Sequence, residues 1–308
     1  MPDSVPRRAL LRLPALAGWI LFSGHAPYRR WDVYRKQRLV IAASGADRTA
    51  LRLGGAVVRT LASHWPESRA LLATARSTLD VIRLLRSGQL EVAVLPADDA
   101  LGAITGVSEY GGVKVELRAV AVLEPAVLHL VAPRDGVSGV PELASRRLGI
   151  GTPGKRATAV VRRVLAGFGI EQQVRLAEMP VGEAAAALRD RSVAAFAWLD
   201  AVPSDVVSQL AGTPTLEIRL LDQGAALRKI GTEPRPLYRA AVVPAGTYPG
   251  VSAPVTVAAV PHLVVGLARL EDEVAHHIAW ALDAPPAADL AIPVHPGASR
   301  ARAEAVDG

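Results

Sequence analysis

Two stretches of this chain carry residue types suited to holding an anion. Ser44, Gly45 and Thr49 follow an apolar run, and Gly154, Lys155, Arg156 and Thr158 follow a second one. Glycine and small hydroxyl residues at a helix start leave backbone N–H groups free, and the helix dipole adds positive potential there. Lys155 and Arg156 would add charge-assisted bonds to a carboxylate or phosphate. Plainer roles fit the same positions: Ser44 or Thr49 as a helix cap, Gly45 in a turn, Lys155 with Arg156 as a solvated basic turn. Residues 149–155 also read G-x-x-x-x-G-K, the spacing of a phosphate-binding loop, and Asp200 ends an apolar strand as a magnesium-binding aspartate would. Arg156 stands where that loop needs a hydroxyl for Mg²⁺, and Pro153 removes one cradle N–H.

Other candidates have two readings each. Thr78 starts a helical pattern, as a cap or as a ligand group. Asp98 follows an apolar strand, where it could receive an amino group or cap the next helix. Trp198 and Asp200 end another strand, where the indole could floor a cleft or pack in the core. His129 reads as a hydrogen-bonded histidine rather than a catalyst. His276 and His277 are sequence neighbours, about 100° apart around a helix axis, so they do not share the face a metal pair needs. No metal and no cofactor are expected. The chain has no cysteine, which removes thiol nucleophiles and Cys-based zinc sites, and no G-x-S-x-G elbow supports serine-hydrolase chemistry. An enzyme is not expected.

The elements that position these residues alternate between short apolar runs and helical patterns, the signature of a parallel α/β protein. The 308 residues exceed what one core usually organises. The chain also echoes itself: residues 38–45 parallel 147–154, and residues 85–93 parallel 188–196. In each half a strand enters a glycine-containing turn and a helix, and a later helix turns into an apolar strand. Two lobes of similar topology follow, each offering a helix N-terminus beyond the carboxyl end of its first strand, where ligands of open α/β sheets sit. Facing each other, they form a cleft that closes on a small acidic molecule by hinge motion. One continuous sheet, or helix tips pointing away from a shared crevice, would exclude this arrangement.

The net charge of +6 does not spread over the chain. Residues 1–38 hold eight basic and two acidic groups, and subtracting these from the totals of 35 and 29 leaves 27 of each. A neutral body with thirteen aromatics lacks the basic stacking surface that nucleic acid needs. The leader, residues 1–37, pairs Arg7 and Arg8 with an apolar run to Phe22 and small residues Gly24 and Ala26, the outline of a secretory or twin-arginine signal. Pro27 opposes cleavage, leaving an uncleaved anchor as the alternative; a short amphipathic helix of a cytoplasmic protein is a third reading.

A resemblance to a known family rests on five stretches in register. The run Pro244-Ala245-Gly246-Thr247-Tyr248-Pro249-Gly250 resembles the signature of TAXI-family solute receptors of TRAP transporters. Leu53-Gly54-Gly55-Ala56, residues 125–131 with His129, Gly151-Thr152-Pro153-Gly154, and residues 292–298 fit in the same order. The resemblance implies an α/β, two-lobed type II periplasmic binding protein fold with a hinge of two crossover strands, near residues 124–128 and 237–243. Lobe 1 would be residues 38–124 plus 240–308, and lobe 2 residues 125–239. It also implies a monomeric receptor, periplasmic or anchored to the outer face of the inner membrane. Such a receptor captures a small anionic solute of the carboxylate or amino-acid class for a TRAP-type permease. His129 and Tyr248 would then be hinge residues, Tyr248 fixing the interlobe crossover. The chain departs from the family at Asp47 and Arg48, which replace glycines, and at Arg156, Val81 and Pro96. These changes leave open a descendant that senses or scaffolds at a membrane.

Overall fold

The computed structural model describes residues 38–107, 112–151, 155–230, 237–283 and 290–307. The leader lies outside them, as does Gly154, and of Lys155 only the backbone is described. Among the described residues no helix is long and apolar enough to cross a membrane.

Strand β1 (Val40–Ser44) is buried along its whole length, as expected of an apolar run covered on both faces of a parallel sheet. It pairs in parallel with β2 (Leu71–Ala75) and β3 (Val92–Pro96). The intervening helices are α1 (Arg48–His64), α2 (Thr78–Arg86) and, after β3, α3 (Ala97–Thr105). Helix α1 buries Ala50, Leu53, Val57 and Leu61, one apolar stripe. Gly54 brings it close to the sheet, because a Cβ there would lie 2.8 Å from Leu72.

The second half repeats the plan. After the long strand β4 (Leu117–Pro133) come β5 (Arg147–Gly151), α4 (Lys155–Phe168), β6 (Arg175–Met179), α5 (Ala184–Arg189) and β7 (Ala195–Asp200). Strand β5 pairs in parallel with β6 and β7, as β1 does with β2 and β3. The sequence echo is therefore structural: its first segment leads into β1 and β5, its second into β3 and β7. Then follow α6 (Asp205–Ala211), β8 (Ile218–Leu220), α7 (Gly224–Ile230), β9 (Arg239–Val243), β10 (Val255–Leu267), α8 (Asp272–Leu282) and α9 (Pro296–Asp307).

Two strands are long enough to serve both halves. The order is β2-β1-β3-β10-β4-β7-β5-β6, with β8 on β4 and β9 on β10. Strand pairing joins the strands in one sheet, contrary to the expectation of separate ones, so sheet continuity does not by itself exclude two lobes. Apolar packing divides it instead. Two clusters, one on each face, gather buried residues from 40–121 and 263–298, with Leu237 packed against one of them; two more gather buried residues from 127–260. Each lobe is thus a three-layer unit with its own cores. At the boundary Pro125 of β4 stands opposite Pro261 of β10, and the register shifts between Pro261 and His262. Proline has no N–H to give, so the ladder is thinnest where the lobes meet, which is where a hinge should bend.

Strand β10 thus passes between the lobes at Pro261, beyond the residues 237–243 where the second crossing was expected. Strand β9 pairs with the first half of β10, and Val243, Tyr248, Val251 and Val257 pack in a lobe 2 core. Residues 240–260, expected in lobe 1, pack with lobe 2. The chain thus has the two-lobed α/β fold expected from the sequence, with β4 and β10 as its two crossover strands.

Candidate functional site

A crevice of about 310 Å³ lies between the lobes. Lobe 1 contributes the turn after β1 and the start of α1, with Asp47, Arg48 and Thr49. Lobe 2 contributes Gly151 at the end of β5, Arg156 in the first turn of α4, and Trp198 and Asp200 at the end of β7. Val181 and Val206 complete the apolar wall. The carboxyl ends of corresponding strands thus face one another, as the internal echo predicts.

Asp47 occupies the place where an outside anion was expected. Its Oδ1 accepts the N–H of Ala50, capping α1, and it is 6% exposed. Its Oδ2 lies 2.7 Å from Nη1 of Arg156 across the crevice and 3.3 Å from Nε2 of His262 on β10. Burial pushes this carboxyl up, but the bond to His262 and the charge of Arg156 outweigh it, and the group is held far below the ordinary carboxylate range. Burial works against the Arg156 charge too, and Asp47 more than restores it. Asp99 stands 3.9 Å from the same guanidinium. Asp98, half-buried beside it, is pushed up to about 7, first by burial and then by the Asp99 charge. Among the described residues Nε of Arg156 and Nδ1 of His262 are buried without a hydrogen-bond partner.

Asp200 anchors a second cross-lobe contact. Its oxygens accept from Thr49 Oγ1 of lobe 1 (3.2 Å), Trp198 Nε1 (3.2 Å), Ser204 Oγ (2.9 Å) and the Ala201 N–H (2.9 Å). Behind it, the Tyr248 hydroxyl accepts the Ser204 N–H at 2.7 Å and meets His129 Nε2 at 2.9 Å. Tyr248 is buried in lobe 2, so it fixes this support within one lobe rather than the interlobe crossover. The Pro244–Gly250 motif explains how it gets there. Gly246 and Gly250 take positive φ of 76° and 86°, and the Thr247 hydroxyl donates to the Pro244 carbonyl. The turn drives the tyrosine inward.

Of the residues singled out in the sequence, Thr49, Arg156, Trp198 and Asp200 line the crevice. Ser44 and Gly45 lie beneath it, Ser44 accepting the Ala46 N–H and Gly45 donating to the Ala75 carbonyl. Thr78 follows the Ser77 cap of α2, and neither it nor Asp98 nor Thr158 reaches the wall. Sequence reasoning missed Asp47, His262, Asp99 and Gly151. Asp47 alone had a signal, an Asp three residues before the first buried apolar position of a helix.

Gly151 is needed for the crevice floor. A Cβ on it would sit 2.4 Å from the Trp198 indole, which stacks on Phe196 with ring centres 6.3 Å apart. Gly151→Ala is expected to cost about 1–3 kcal/mol of stability by overpacking. It should also shift tryptophan emission as the indole is forced out; unchanged melting and emission would show that the ring yields freely.

A family model for the NMT1-like family matches residues 41–282. The chain belongs to the NMT1-like family. The match spans both lobes of this NMT1-like chain and ends at α8. Among solved structures, the chain is similar to the periplasmic aliphatic sulphonate binding protein SsuA from Escherichia coli at 15% identity. The TM-score is 0.46, with 73% of this chain and 65% of that one covered. It is also similar to the BvgS VFT2 domain of Bordetella pertussis, at 13% identity, TM-score 0.43 and coverage of 89% and 98%. A third is XAC2383 from Xanthomonas citri bound to ATP, at 13% identity, TM-score 0.48 and coverage of 87% and 95%. The chain spans just under two thirds of the length of SsuA.

Proposed function

We propose that this chain is an extracytoplasmic solute-binding subunit that encloses a small carboxylate or amino-acid-class solute between its lobes and delivers it to a membrane permease. The observation that carries this reading is the crevice, walled by both lobes, with Arg156 on one side and Asp200 above an indole floor. Its volume is at the low end of the range of about 300–1,000 Å³ typical of small-molecule sites. An amino acid offers both partners at once: its carboxylate replaces the Asp47 side chain at Arg156 and the α1 N-terminus, and its ammonium meets Asp200. The solute is bound and released unchanged.

Melting temperature across amino acids, dicarboxylates, keto acids, alkanesulphonates and Mg-ATP tests it. A solute at 100 times its dissociation constant should add about 2.7 kcal/mol. A rise with Mg-ATP alone would replace this reading with nucleotide binding.

The TAXI motifs support a TRAP-type permease as the partner. In cells expressing the pair, uptake of the identified solute should stop when the ion gradient is collapsed and continue when ATP is depleted. The reverse would assign the receptor to an ABC-type importer.

A second reading has an observation of its own. Asp47 already neutralises Arg156, and the Asp47–Arg156 and Thr49–Asp200 contacts bridge the lobes directly. A receptor latched by its own side chains suits a sensor or scaffold at the membrane. Small-angle scattering that shows no compaction with any solute in the screen would favour it.

A further inference from the structure

Helix α8 carries a second cluster of ligating groups, remote from the crevice. Glu273, His276 and His277 each offer a ligand atom within 4.8 Å of the other two. The two histidines do not share a helix face. Yet Glu273 lies one turn earlier and between them, because positions i+3 and i+4 fall about 60° to one side and about 40° to the other of position i. The carboxylate therefore completes a three-point set that the histidines alone do not form.

Each group is also oriented from outside. His276 Nε2 meets Glu304 Oε2 of α9 at 2.8 Å. A carboxylate accepts only, so Nε2 bears the proton and the lone pair is on Nδ1. That nitrogen is buried and has no partner among the described residues. His277 Nδ1 donates to the Glu273 carbonyl at 2.8 Å and lies 3.7 Å from Glu273 Oε1, and its ring stacks on Trp65 with centres 4.7 Å apart. Arg300 of α9 holds Glu273 Oε2 at 2.7 Å. A histidine that gives its other N–H to a carboxylate, as His276 does, beside a carboxylate that is itself hydrogen-bonded, is the outer-shell pattern of protein metal sites.

We propose that Glu273, His276 and His277 bind a divalent transition-metal ion, zinc by preference, with water as a fourth ligand and Glu304 and Arg300 as outer partners. Two imidazoles and a carboxylate form a donor set that zinc accepts and magnesium does not favour. Through Glu304 and Arg300 the ion would tie α8 to the C-terminal helix. Trp65 follows the C-terminal end of α1 and Asp47 caps its start, so the 17-residue helix separates the two sites by about 25 Å.

Titration calorimetry of the chelator-stripped full chain with Zn²⁺ tests the site. One saturable event is expected, absent with Mg²⁺. His276→Gln and His277→Gln should each weaken it at least tenfold, and Glu304→Gln about tenfold as an outer partner. Zn²⁺ should raise the melting temperature of the parent and not of His276→Gln. No saturable binding, or binding that survives both histidine substitutions, would overturn the proposal. Solute affinity should be the same with and without Zn²⁺, so failure here leaves the crevice reading intact.

Discussion

Asp47→Asn is expected to lower the stability of the solute-free protein by about 3 kcal/mol while raising its affinity for a carboxylate or sulphonate about tenfold. The two effects share one cause. Asparagine keeps the cap on α1, since its carbonyl oxygen accepts the same N–H. What disappears is the charge facing Arg156. Removing one member of a buried ion pair costs about 3–5 kcal/mol because the other charge is left uncompensated. The Arg156 side chain is 22% exposed, which places the cost at the low end. A solute anion then no longer competes with an internal carboxylate, and Nε of Arg156, now without a partner, gains an acceptor. Asp47→Ala should lose about 1 kcal/mol more, the value of the cap. Urea unfolding and titration calorimetry on both variants measure the pair of effects. Unchanged solute affinity in Asp47→Asn would remove Arg156 from the binding site, and unchanged stability would mean that the latch holds nothing.

Why the sequence pointed to Arg156 but not to its partner is instructive. The echo between residues 38–45 and 147–154 located both helix starts, because repeated strand–turn–helix units leave a local pattern in composition. Which groups those helix starts hold is a matter of three-dimensional approach. Asp47 and Arg156 are 109 positions apart, and Asp47 and His262 are 215 apart. No local spacing connects them. Asp47 was read as a glycine lost from a family pattern, when its carboxylate supplies the charge that an outside anion would otherwise bring. The hinge was half legible for a similar reason. Pro125 could be placed, but Pro261 lies in a largely apolar run and marks a boundary only once β10 is seen to pair with both β3 and β9. Residues 240–260 read as part of lobe 1 because an extended segment carries no mark of which core it enters.

The acid side of the stability profile should be flatter than either of two variants. His129 is fully buried with Nε2 against the Tyr248 hydroxyl, and burial, opposed only in part by the Asp200 charge, lowers it from 6.5 to about 4. Above pH 6.5 it is neutral in both folded and unfolded chains and contributes nothing. As pH falls below 6.5 the unfolded chain takes up a proton that the native state refuses, so stability drops, by about 3 kcal/mol at pH 4. Asp98 has the opposite sign. Burial, then Asp99, raise it from 3.8 to about 7, so between those values the native state holds a proton that the unfolded chain lacks. Its contribution grows as pH falls from 7 and levels off below 4. The two offset one another until Asp47, which is held far below its ordinary value, begins to protonate and the latch fails at still lower pH. In Asp98→Asn, where the amide oxygen can still accept the Asp99 N–H, the histidine acts alone and stability should fall steadily from pH 6.5 to 4.5. In His129→Gln it should rise over the same interval. Urea midpoints at half-unit steps would settle the matter: three parallel profiles would mean that neither group titrates differently in the folded chain.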